Sequence, residues 1–488
     1  MTPSTNRTRA LAALVAAAGA ALPAAPARAA VPGITGPSFH LVASADFVSQ
    51  PDGASIYAFG YGCDGAPAGF LPARPNGAQG PAPTCPQTMQ LPGPTLIVTQ
   101  GQSVTVTLRN ALPPAAGNTS IVFPGFQVTS AGGVAGLLAQ EAPGGGTVTY
   151  TFVASTPGTH AYHSGTQADL QIEMGLYGAI VVLPATPPGG CVRGPFSLAP
   201  AAYGHAATCY DREYLFQLSE LDSRIHDQAL AQVQACPVGP CPAIQAVTEP
   251  YHPNYFLLNG RSLPDDMDTP YAAGYPHQPY NANPHMHPGE KVLMRMVGQG
   301  RWQHPFHFHG NHARVLARDG NLLLSAADGT SLAGPLLFTT PTVSGQTQDQ
   351  IFTWTGKGLN WDVYNHRAGD GSRCIPDASG YHAIKTDPNA GEWCADHLKP
   401  IPVTPPDPTI VAIGQWYGGT PYLGIQSTGS FTGTNEPPGT LNQNPQAGYA
   451  YMWHSHNERE ITTNDVFPGG IMSMLLIDPP AWFIDETL

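Results

Sequence analysis

Arg301-Trp302-Gln303-His304-Pro305-Phe306-His307-Phe308-His309-Gly310 sets three imidazoles within six residues of an aromatic-rich run. Read as a strand, whose side chains alternate from face to face with a period of two, it puts His307 and His309 on one side. His304, three residues before His307, points the other way. Near the C-terminus Trp453-His454-Ser455-His456 repeats the arrangement, with Ser455 opposite its two histidines. Two strands that each show a His pair to one side form a ready metal site, because neutral imidazole is the commonest protein ligand for copper, zinc and iron.

Outward from this stretch the chain reads as all-β. Val104, Val106 and Leu108 alternate with polar residues in Gln102-Ser-Val-Thr-Val-Thr-Leu-Arg, the pattern of a half-buried strand. Ser38–Val42, Ser55–Phe59, Pro94–Gln100, Thr147–Val153, His160–His163 and Leu176–Leu183 extend it, with no convincing helical period, and predict a β-sandwich over about 38–186. A second cycle follows at Glu213–Leu221, Tyr255–Leu258, Lys291–Val297, Phe306–Leu316, Asp349–Thr355, Tyr449–His454 and Ile471–Ile477. The halves echo each other: Gln102–Arg109 matches Glu290–Val297, and Gly175–Leu183 matches Gly469–Ile477. The reading is two sandwich domains with long Gly/Pro-rich loops, 30–186 and 211–488, joined by a linker at 187–210. Within the second, about 355–447 is a long insertion carrying Trp361, Trp393 and Trp416, as suited to a substrate lid as to a stapled decoration.

Residues 1–29, with Arg7, Arg9, an apolar run from Ala10 to Leu22 and Ala27-Arg28-Ala29, read as a cleaved secretory signal, so the mature chain is expected in the periplasm or outside the cell. Loss of three arginines and no acids takes the formal charge from −13 to −16. A surface this acidic argues against nucleic acid or an anionic membrane as partner, and no later stretch suits a membrane helix. The eight cysteines fall in local pairs, Cys63 with Cys85, Cys191 with Cys209, Cys236 with Cys241 and Cys374 with Cys394, which predicts four disulfides and no free thiolate. There is no phosphate-binding Gly-rich loop, no Ser/His/Asp nucleophile signature and no zinc Cys-X2-Cys pair.

Taken together, Leu91-Pro-Gly-Pro-Thr-Leu, Gly158-Thr-His-Ala-Tyr-His-Ser before Gly175-Leu-Tyr-Gly, Asn259-Gly-Arg-Ser, His304-Pro-Phe-His-Phe-His-Gly and His454-Ser-His resemble the multicopper oxidase family, in that order along the chain. With two cupredoxin-like Greek-key domains it looks most like two-domain laccases and copper nitrite reductases. The resemblance implies homotrimers with copper held between the first domain of one subunit and the second of the next. It also implies a type 1 copper whose ligands include His304, a cysteine between the two C-terminal histidines and a histidine four residues past the second. Here those last two positions are Ser455 and Glu460, and a hydroxyl cannot replace the soft thiolate such a centre needs. Of the eight histidines of the family's trinuclear cluster, His163, His307, His309, His454 and His456 remain; the partner of His163 is Gly165, and Ile121-Val-Phe-Pro-Gly holds none.

The implied function is an exported copper oxidoreductase with a reduced His-only site that works on O2 or a small-molecule reductant. Ligands are expected from His163, His304, His307, His309, His454 and His456, with Glu458 and Glu460 as candidate proton carriers. His304 has the alternative of hydrogen bonding to Ser455 or supporting the site from behind. A copper-sequestering or structural protein, and a zinc-loaded site, are the rival readings. His312 is a further neighbour of the His-rich strand, and His285-Met286-His287 a separate copper-handling pattern, since thioether and imidazole suit both copper oxidation states.

Overall fold

The computed structural model describes residues 31–71, 84–355, 375, 377–378, 381–387, 390, 448–478 and 482–486, and the backbone of 415–417, 423–425 and 431–435. The signal segment 1–29, the Cys374–Cys394 pair, Trp361 and Trp393 lie outside these residues.

The first half folds as two five-stranded sheets. In chain order the strands are β1 (Gly33–Thr35), β2 (Ser38–Ser49), β3 (Ser55–Cys63), β4 (Phe70–Leu71), β5 (Leu96–Thr99) and β6 (Ser103–Asn110), then β7 (Val128–Gly132), β8 (Thr147–Val153), β9 (Gly158–His163) and β10 (Tyr177–Leu183). One sheet runs β9-β10-β5-β1-β4 and the other β3-β2-β6-β8-β7. Val104, Val106 and Leu108 of β6 and Val148, Tyr150 and Phe152 of β8 point into the core between them, as the alternation of each strand requires.

The second half adds β11 (Arg212–Leu221), β12 (Tyr255–Leu258), β13 (His285–Met286), β14 (Lys291–Gly298), β15 (His304–Phe308) and β16 (Ala313–Arg318). It continues with β17 (Asn321–Leu322), β18 (Thr339–Thr342), β19 (Thr347–Thr353), β20 (Gln415–Tyr417), β21 (Gly448–Ser455) and β22 (Met472–Ile477). The sheets are β12-β11-β14-β19-β16-β17 and β13-β22-β21-β15-β18, with β20 of the insertion pairing with β21.

The echo between the halves is a shared topology. β6 pairs parallel with β2 and antiparallel with β8, and β14 pairs parallel with β11 and antiparallel with β19. β10 pairs antiparallel with β9 and parallel with β5, and β22 stands in the same relation to β21 and β13. The chain is all-β in two sandwiches, the fold the alternation predicts.

Two local readings need correction, and one burial pattern adds to the sequence reading. Phe306–Leu316 is two strands in different sheets, because the chain leaves β15 through Gly310, whose φ of +98° ends an extended run. The helix Ser223–Ala235 breaks the expected all-strand pattern; Asp222 caps it by accepting from the Arg224 amide at 3.1 Å. Its Ile225 and Ala229, with Ile244 beyond it, pack into the first sandwich, so a segment from the second half of the chain completes the first core. Lastly, β11 is buried along its whole length, because Leu215 and Val297 meet Ile97, Ala161 and Val181 across a core shared by the two sandwiches.

That shared core encloses charge. Arg295 lies 2.7 Å from Glu213 and 3.7 Å from Asp349, all three buried. Asp349 in turn accepts from the Thr159 hydroxyl at 2.6 Å and from Tyr203 at 2.5 Å, tying β19 to β9 of the first sandwich. Disulfides join Cys63–Cys85, Cys191–Cys209 and Cys236–Cys241, three of the four expected pairs.

Candidate metal centre

β15 and β21 lie side by side with His307 directly opposite His454. Their alternation divides the residues between two faces. His304, Phe306 and Phe308 of β15 and Trp453 and Ser455 of β21 are buried on the inner face, while His307 and His454 are on the outer one. His309 lies just past the end of β15, and its ring still comes back to the outer group.

Four imidazoles gather there. Ring centroids are 4.8 Å apart for His307 and His309, 5.4 Å for His307 and His454, 5.2 Å for His309 and His454, and 5.1 Å for His307 and His456. One ligand atom from each of His307, His309 and His454 falls within 4.8 Å of the others. His454 Nδ1 donates to the Ser455 carbonyl at 2.6 Å, so in the neutral ring the lone pair sits on Nε2, which lies 3.2 Å from His309 Nε2. His307 Nδ1 shares a 2.8 Å hydrogen bond with Thr339 Oγ1 on β18, which fixes the ring plane. Burial, followed by the neighbouring His309, His454 and His456, pushes His307 down to about 4, and burial also lowers His454. His307 and His454 held neutral, with the Nε2 atoms of His309 and His454 meeting, belong to a donor set that copper or zinc accepts, so the residues fit such an ion.

His163 is the first-half counterpart of His454. Each is opposite the first residue of the following strand, Tyr177 or Met472, and each gives Nδ1 to the carbonyl of a following serine, 3.0 Å for Ser164. Among the described residues no ring contact joins His163 to the four-histidine group within one chain. Phe338, missed in the sequence reading, stands edge-on to both His307 and His312. Thr339 was missed too, because only the pairing of β18 with β15 brings it there.

His304 is apart from this group. It is fully buried on the inner face, with Nε2 2.8 Å from Glu220 and Nδ1 2.9 Å from Glu460. Both carboxylates accept, so both ring nitrogens donate. Burial disfavours the imidazolium, but the hydrogen bonds and charges of Glu220 and Glu460 outweigh it and hold His304 at about 9. Ser455 does not meet His304 directly; its hydroxyl donates to Glu460 at 2.5 Å, and Asn457 reaches the other Glu460 oxygen at 2.9 Å. Glu460 is therefore a buried clamp between β15 and β21, not a loop residue, whereas Glu458, two positions earlier, is 85% exposed and 4.0 Å from His456.

A folded-state pKa raised above the ordinary value near 6.5 favours the fold below that pH and ceases to do so as pH climbs through about 9. Stability in urea is expected to decline between those limits, and the decline should shrink in His304→Gln. An equally steep decline in the variant would assign the effect to other groups.

Two regions of the chain, residues 79–187 and 248–336, match sequence profiles described as multicopper oxidase. Both regions are multicopper oxidase domains by sequence. Within this family, Laccase abr2 of Aspergillus fumigatus is 36% identical over 98 residues, 20% of this chain and 16% of that protein. The chain is also similar to the solved structure of Multicopper Oxidase mgLAC, with 16% identity, a TM-score of 0.47, and 92% of this chain and 87% of that one covered. For Blue Copper Oxidase from Nitrosomonas europaea the values are 16%, 0.46, 90% and 85%. For the copper nitrite reductase of the same organism they are 19%, 0.42, 73% and 97%.

Proposed function

We propose that this multicopper oxidase is an exported copper-dependent oxidoreductase that lacks type 1 copper and works through a His-only site. The carrying observation is the division of the two strands: four imidazoles converge on the outer face, while the inner face holds Ser455 and Glu460 hydrogen-bonded to each other. Copper held by His307, His309, His454 and His456 would supply one-electron chemistry between a small reductant and O2. The chain's own contribution is positional. Thr339 and the Ser455 carbonyl fix two of the rings, Phe338 shields His307 from water, and exposed Glu458 stands near His456 to hold a proton.

His163 completes the site from a second copy in this reading, as in the homotrimer the family resemblance implies. Exposed apolar groups support it on both halves. Leu138, 60% exposed, lies beside Gly165, two residues past His163, and Phe338, 55% exposed, stands edge-on to His307. Association that joined the halves would also cover these side chains. The three disulfides favour an oxidising compartment, in keeping with export. Among the described residues no helix is long and apolar enough to cross a membrane.

Metal analysis with absorption and paramagnetic resonance spectra, followed by oxygen uptake across a panel of reductants, tests the reading. Copper without an intense blue band, together with reductant-dependent oxygen uptake, is the expected result. Zinc in place of copper, or copper with no uptake at all, would overturn it in favour of the rival assignments. Ser455→Cys alone is expected to stay colourless, because His304 has both nitrogens committed and Glu460 stands where a ligand is needed. A blue Ser455→Cys protein would show that the inner face still accepts copper.

A further inference from the structure

Two buried carboxylates converge on a phenol that the metal centre leaves unused. Tyr251 Oη lies 2.7 Å from Glu173 and 3.3 Å from Glu220. A phenol has one proton to give, and the shorter contact directs it to Glu173. The Glu220 oxygen that Tyr251 reaches also accepts from the Arg301 and Trp302 amides at 2.6 and 2.9 Å, while its other oxygen meets His304 at 2.8 Å. One carboxylate thus joins Tyr251 to the inner face of β15. Burial, followed by the charges of Glu173 and Glu220, pushes the phenol well above its ordinary range, so it keeps its proton at rest.

The Tyr251 ring also meets an indole. Trp302 stands edge-on to it with ring centroids 5.9 Å apart, and both residues are half-buried, so a small molecule can approach them from solvent. Tyr203 and Tyr210 are bonded to carboxylates too, but they are sealed in the core and share those carboxylates with Arg295. The Arg301 guanidinium lies 4.2 Å from the centre of the Tyr251 ring. A cation there penalises a ring that has lost an electron and kept its proton, and Glu173 is in place to take that proton. Loss of the electron and loss of the proton are therefore coupled at this residue. Trp302 in turn is five residues from His307, no more than about 18 Å of extended chain.

We propose that Tyr251 is a redox-active tyrosine that, with Trp302, passes electrons from a small organic reductant to the four-histidine group, an assignment that rests on the copper reading given above. Tyr251 gives one electron, by way of Trp302, to oxidised copper and its phenolic proton to Glu173, and is left as a neutral phenoxyl radical. One electron from the reductant and the proton returned by Glu173 restore the phenol. The reductant is oxidised by one electron and sheds its own proton to water.

The copper-free full chain separates the tyrosine from the metal. Photogenerated ruthenium(III) tris(bipyridine) should produce a neutral tyrosyl signal in paramagnetic resonance, at least threefold weaker in Tyr251→Phe and undiminished in Tyr255→Phe, whose phenol is bonded to Asp52 instead. Glu173→Gln should slow formation of the radical at least tenfold. In the copper-loaded chain, Tyr251→Phe and Trp302→Phe should each slow reduction of the metal by hydroquinone at least tenfold with copper content unchanged. An undiminished radical yield in Tyr251→Phe, or undiminished metal reduction in both variants, would overturn the proposal. A parent chain that takes up no copper would sink the metal reading instead, and copper content reports that independently of the radical yield.

Discussion

His307→Ala is expected to abolish the copper binding proposed for the four-histidine group. His307 is in ring contact with His309, His454 and His456, and it is tied from behind to Thr339. Its loss takes away one of the four candidate ligands and leaves His309, His454 and His456 to meet an ion. A decrease in affinity of at least 100-fold is expected, beyond the roughly 10–100-fold typical of losing only a hydrogen-bonding support of a ligand. Copper content after dialysis against a graded chelator series reads this directly. Near-UV circular dichroism should be unchanged, because His307 is on the outer face and contributes nothing to the core below it. Copper retained at parental stoichiometry would remove the group from consideration as the metal site.

The second large effect concerns the fold. Arg295→Met should cost about 3–5 kcal/mol, because Glu213 and Asp349 then stay buried without their countercharge. Methionine preserves much of the volume, so the loss reports charge more than packing. Arg295→Lys should recover little, since an ammonium cannot reproduce the paired Nε and Nη2 contacts with Glu213 at 2.8 and 2.7 Å. Equilibrium unfolding in urea measures both. Because Asp349 also holds Thr159 and Tyr203, the variant should loosen the shared core, seen as faster amide exchange in β9 and β19 together. A loss below about 1 kcal/mol would mean that the carboxylates find other partners or take up protons.

Much of this architecture is legible in the sequence because half-buried strands advertise themselves. Thr147–Val153 and Tyr255–Leu258 have the very limits their alternation and punctuation suggest, and the echo of Gln102–Arg109 in Glu290–Val297 reflects strands with the same neighbours. The helix Ser223–Ala235 left a signal that was not used: Asp222 as a cap, then Ile225, Ala229, Leu230 and Val233 at helical spacing. The four-histidine group was visible because a period of two is enough to put each pair on one side. The surroundings of His304 were not. Glu220 and Glu460 stand 84 and 156 residues from it, and only sheet pairing brings them together. Nor does sequence distinguish Glu458 from Glu460, which a single 3-10 turn sends in opposite directions, one to solvent and one to the core.

The two-faced character of β15 and β21 has a bearing on how such a protein can change. A strand pair whose sides alternate acts as a partition, and an edit on one side need not be felt on the other. The core side closes over Ser455 and Glu460 with hydrogen bonds, while the solvent side keeps His307 and His454 in register.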